Sequence, residues 1–176
     1  KKARIASDAK STARLLEAIV QMCYDAKDYE SLNENILMLS KRRGALKMPI
    51  TRMVQRGCQF VEELKNEKET RLKLIDTLRT VTAGKIHVEV ERARLTKILS
   101  DIKEADGDIP GAAEILHELQ VETFGTMERK EKVEFILEQM RLGLANKDFI
   151  RTGILSKKIS IRYFKDKEVN DLKLKF

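Results

Sequence analysis

Three Asp residues fall on a forty-residue grid, each preceded by Lys or Gly and followed by a large apolar residue: Lys27-Asp28-Tyr29, Gly107-Asp108-Ile109 and Lys147-Asp148-Phe149. No other Asp in the chain has both neighbours of that kind, and the missing line of the grid falls at the polar stretch Asn66-Glu67-Lys68-Glu69. A period near forty is the mark of stacked helix pairs, in which each pair hides its apolar face against the next. Within such a pair the Asp is expected to cap the second helix by accepting hydrogen bonds from its first free N–H groups. The apolar residue that follows is expected to turn the hydrophobic face inward.

The rest of the chain agrees with helices. With two Pro, eight Gly, no Trp and 36% charged residues, the 176-residue chain reads as all-α, a single helical-repeat array of about eight to nine helices. Apolar residues recur at offsets of three and four: Leu15, Ile19, Met22, Cys23 and Ala26, then Leu32, Ile36 and Leu39, then Met53, Val54, Cys58, Val61 and Leu64. Further stripes are Leu72, Ile75 and Leu78; Leu95, Ile98, Leu99 and Ile102; Ala112, Ala113, Ile115, Leu116 and Leu119. The last are Val133, Ile136, Leu137, Met140 and Leu144, then Phe149, Ile150, Ile154 and Leu155. Pro49 and Pro110 suit first helical turns, and Gly44, Gly84 and Gly125 are expected to stop the helices before them. Residues 86–91 and 159–163 alternate apolar with polar, a strand period, but no hairpin turn or third strand supports a sheet. Both are read as helical.

Little in the chain points to catalysis. His87 and His117 are thirty residues apart with no ligand-bearing pattern around them, so no metal site is expected. Gly84-Lys85 lacks the upstream Gly and the following Ser or Thr of a phosphate-cradling loop, and no nucleophile motif is present, so neither enzyme activity nor a cofactor is expected. Cys23 and Cys58 lie in apolar helical patterns and read as buried thiols of a reducing compartment. No run of residues is long and apolar enough to span a bilayer, and the start lacks a secretory signal. The net charge of +7 is spread over mixed-sign segments with few aromatics, which favours a solvated surface over a nucleic-acid stripe. The opening Lys and an apolar pattern only begun at Phe176 suggest a piece of a longer protein.

Several strings carry a resemblance: Leu32-Asn33-Glu34-Asn35-Ile36, Leu39-Ser40-Lys41-Arg42-Arg43, residues 71–79 (RLKLIDTLR), residues 90–97 (VERARLTK), and the run from Leu119 to Leu142. From about Ala6 to Lys158 the chain resembles the amino-terminal helical-repeat region of the PCI-family lid subunits of the 26S proteasome regulatory particle. The resemblance implies a right-handed α-solenoid of TPR-like helix pairs leading into a PCI module that this sequence lacks. It also implies a non-catalytic scaffold, cytoplasmic and nuclear, that holds other lid, base or core-particle subunits by protein contacts and supports ubiquitin-dependent degradation. The rivals are the arm of another PCI-type scaffold, from the signalosome or the translation-initiation assembly, and an RNA-binding helical array. On this reading Asp28, Asp108, Asp148, Gly44, Gly84 and Gly125 are structural caps and stops, and no residue is singled out as partner-binding.

Overall fold

A computed structural model describes residues 8–41 and 46–159. The chain is an all-α helical-repeat protein, with eight α-helices and no strand among the described residues. They are α1 (Ala9–Asp25), α2 (Tyr29–Ser40), α3 (Lys47–Glu63), α4 (Lys68–Thr82), α5 (Glu89–Ala105), α6 (Ile109–His117), α7 (Arg129–Ala145) and α8 (Phe149–Ser156). The odd-numbered helices, the first of each pair, all have 17 residues. They start at residues 9, 47, 89 and 129, so the pairs repeat at intervals of 38, 42 and 40 residues. The period seen in the Asp motifs is therefore the period of the helix pairs.

The chain divides into two compact units, Lys1–Leu95 and Thr96–Phe176, with the division inside α5. In the first unit α1 packs on α2 and α3 on α4, while α1 also contacts α3 and α2 contacts α4. First helix thus meets first helix and second meets second, the arrangement of two stacked hairpins. The shared core comprises Ala13, Val20, Leu32, Ile36, Met53, Val54, Phe60, Val61, Leu74, Ile75 and Leu78, all nearly inaccessible. Burying one such Leu, Ile or Phe side chain contributes about 1.5–3 kcal/mol. Gly57 faces Leu78, whose Cδ2 lies 2.8 Å from the point a Cβ would occupy, so α3 and α4 approach as closely as a missing side chain permits.

In the second unit α7 packs on both α6 and α8 and covers a short 3-10 turn, Val121–Thr123. The Ser100 hydroxyl on α5 donates to the Ala112 carbonyl on α6 at 2.9 Å, and the small residues Ala112 and Ala113 are buried at this approach. Gln139 of α7 is buried and its amide donates to the carbonyls of Leu116 and Leu119, at 2.8 and 2.9 Å. It thereby adds a second donor to the Leu116 carbonyl, which also takes the Leu119 N–H, and satisfies the Leu119 carbonyl just past the end of α6. Arg141 of α7 forms a two-pronged pair with Glu104 of α5, with N–O distances of 2.7 and 2.6 Å, and also pairs with Glu138 at 2.7 Å.

Several expectations need correction. In α1 the buried residues are Ala13 and Val20, whereas Leu15 and Met22 are exposed: the helix is rotated from the stripe read in the sequence. The alternating stretch 86–91, by contrast, is helical as expected: a 3-10 turn, Ile86–Val88, runs into α5, with Val88 buried and Ile86 facing out. Of 159–163, only Ile159 lies within the described residues, and it is buried. In α8 Phe149, Ile150 and Ile154 are exposed, and only Thr152 and Leu155 are buried.

Candidate functional site

The three motif Asp residues occupy the same kind of turn. At each, the residue before the Asp has a positive φ: 56° at Lys27, 85° at Gly107 and 60° at Lys147. The Asp N–H then bonds back to the carbonyl of Cys23, Lys103 or Gly143, while the preceding N–H bonds to Tyr24, Glu104 or Leu144. These two bonds form a Schellman motif that closes the first helix of each pair. Each Asp also opens the next helix: Oδ1 accepts from the N–H of Ser31 at 3.0 Å, Gly111 at 2.9 Å and Arg151 at 3.0 Å. Its carbonyl takes the first helical bond from Leu32, Ala112 or Thr152. One residue serves two helices.

Charge reinforces the turns. The Ser31 hydroxyl and amide hold the Asp28 carboxyl below its ordinary range. At Asp108 the Gly111 amide does so first, aided by Lys103, whose Nζ is 3.2 Å away. Asp148 pairs with the Arg151 guanidinium at 3.5 Å. The missing line of the grid is the α3–α4 turn, where Glu67 takes the cap position without a side-chain hydrogen bond.

The glycines divide. Gly84 has φ of 69° and follows the end of α4, where the Lys85 N–H returns to the Thr82 carbonyl at 3.2 Å. Only a residue tolerant of that left-handed region fits there without strain. Gly125 is not a helix stop: α6 ends eight residues earlier, at His117, and Gly125 lies in a loop beyond the 3-10 turn without a positive φ. Gly44 lies outside the described residues.

Groups with possible chemistry are dispersed. His87 and His117 are both half-buried, each with an Nε2 that lacks a partner, and burial pushes both below the usual imidazole range. Cys23 and Cys58 are free thiols, and burial first, then Glu91, pushes Cys58 up to about 12. Such a thiol is a poor nucleophile at neutral pH. Among the described residues no group of three or more His, Cys, Asp or Glu is placed to hold a metal ion, and no helix is long and apolar enough to cross a membrane.

Surface features absent from the sequence reading are more informative. In the first unit Tyr24 stacks on Phe60 with centroids 3.9 Å apart and meets Tyr29 edge-on at 6.1 Å. Burial and the Glu63 carboxylate push the Tyr24 hydroxyl up to about 12. Glu63 and Glu67 line a hollow of about 380 Å³ beside these rings. A second groove, of about 560 Å³, runs between α1 and α3 and is lined by polar side chains. In the second unit Phe149 and Ile150 are 65% and 83% exposed, and Ile154 stands one turn beyond Ile150. Side chains of this size left in water are common at protein contacts.

The comparisons with known proteins agree in kind. The family described as PSMD12/CSN4, N-terminal, matches residues 1–176. The chain is 47% identical over its whole length to the 26S proteasome non-ATPase regulatory subunit 12 of Dictyostelium discoideum, covering 39% of that protein. It is 51% identical over 93% of its length to homolog A of the same subunit in Arabidopsis thaliana, covering 37% of it. Against the 26S proteasome regulatory subunit RPN5 of Saccharomyces cerevisiae it is 44% identical over its whole length, covering 40%. The chain spans about two fifths of the length of these curated relatives. A forty-residue helix-pair period, turns built on a shared Asp, and a match along every residue together make this chain a member of the PSMD12/CSN4 N-terminal family.

Proposed function

We propose that the chain is the helical-repeat region of a non-catalytic scaffold subunit of the 26S proteasome lid. In this role it supports assembly of the regulatory particle and, through it, ubiquitin-dependent degradation. The observation that carries this reading is identity of 44–51% along 93–100% of the chain with relatives named as proteasome regulatory subunits. The same names favour the proteasome over the signalosome and the translation-initiation assembly. The fold suits the role, since stacked hairpins offer long faces for contact without a deep catalytic cleft. Exposed Phe149, Ile150 and Ile154 supply apolar anchors of the kind protein interfaces use. Its partners are other lid, base or core-particle subunits, and its location is the cytoplasm and nucleus. Affinity capture of the whole protein from cells tests the reading. Co-purification of regulatory-particle and core-particle subunits is expected, and capture of signalosome or initiation-factor subunits in their place would overturn it.

A further inference from the structure

Between α1 and α3 the first unit carries a groove whose two walls are polar stripes at helical spacing. Arg14, Glu17 and Gln21 come from α1, and Arg52, Arg56 and Gln59 from α3. Among the described residues that line it the charge is unbalanced, with three guanidiniums against one carboxylate. Arg14 has no partner among the described residues, and Glu17 reaches Arg52 only at 3.8 Å. Arg56 is half-buried and held in place, yet among the described residues by neutral groups alone. Its Nε donates to the Gln21 amide oxygen at 2.7 Å, Nη1 donates to Gln59, and the guanidinium lies 4.8 Å from the centre of the Phe60 ring. A partly desolvated cation fixed without a counter-charge is a standing attraction for an anion.

We propose that this groove binds an acidic peptide segment of a partner protein. The stripes 14–21 and 52–59 each extend seven residues, about 10.5 Å along a helix. That matches about three residues of extended peptide, whose first and third side chains share a face and can present two carboxylates to the guanidiniums. Arg is suited to the task because its planar fork meets a carboxylate with two parallel hydrogen bonds. A nucleic acid fits less well, because Phe60 is fully buried and cannot stack on a base.

The site is independent of the proteasome assignment, and so is its test. Fluorescence anisotropy is measured with the whole protein, a labelled Asp/Glu-rich peptide, a Gln-rich control peptide and a single-stranded RNA. The acidic peptide is expected to bind at low salt and to weaken as salt rises. The double variant Arg14→Glu with Arg52→Glu, both at exposed positions, is expected to lose at least about tenfold in affinity. Arg14→Lys with Arg52→Lys is expected to retain most of it, and circular dichroism reports whether each variant keeps its helices. Equal binding of the acidic and Gln-rich peptides, no effect of charge reversal in a folded variant, or preference for the RNA would overturn the proposal.

Discussion

Asp148 is joined to both of its helices by hydrogen bonds, so its side chain can be removed without touching the core. Asp148→Ala is expected to cost about 1 kcal/mol of stability, and Asp148→Asn, which keeps an acceptor, only a few tenths. Urea denaturation distinguishes the two. Acid acts through other residues. Burial holds His87 and His117 below their unfolded value of 6.5, so the unfolded chain takes up those protons first and stability falls as pH drops below about 6.5. Asp28 and Asp108 are also depressed, and their contribution, present above about 3.8, is lost as pH falls through their lower native values. Melting temperature against pH is expected to decline in two stages, and His117→Gln to flatten the first. The Asp turns were legible in the sequence because every atom they need lies within five residues of the Asp. Gly125 misled because a glycine in a loop and a glycine at a helix stop look alike until φ is known.

At the level of elements the packing is close enough to be tested by volume. Gly57→Val places methyl groups into Leu78 and is expected to destabilise by about 1–3 kcal/mol, with Leu78→Ala partly relieving it in a double-mutant cycle. Gln139→Leu keeps the bulk but strands the Leu119 carbonyl, an unsatisfied acceptor costing about 1–3 kcal/mol, so thermal unfolding is expected below that of the parent. Helix existence could be read from apolar spacing, but helix rotation could not. The first helix holds apolar residues on two overlapping faces, and its contacts with α2 and α3 select the one bearing Ala13 and Val20. Gln139 was invisible for a related reason: a Gln in a helix reads as surface unless the carbonyls facing it are known.

Across the whole molecule the forty-residue period and the quoted strings were enough to place the chain in its family, because repeat architecture is written at regular intervals along the sequence. The groove and the exposed α8 residues were not legible, since both depend on which side of each helix its neighbours leave open. The excess of Lys and Arg, 35 against 28 Asp and Glu, also reads differently in three dimensions. Arg71 and Arg92 donate to the carbonyls of Val61 and Arg79, and Arg141 to two carboxylates, so part of the positive charge is engaged in the fold. Retention on single-stranded RNA at physiological salt is therefore expected to be negligible, and a steep salt-dependent affinity in a filter-binding assay would revive the RNA-binding alternative.

The doubly fastened Asp has a bearing on how the molecule comes apart. Its amide is secured by the end of one helix and its carboxylate by the start of the next, so fraying of either loosens both. Within these pairs the smallest piece that opens is then the hairpin, and the Asp108 and Gly111 amides should show a common protection factor in hydrogen exchange.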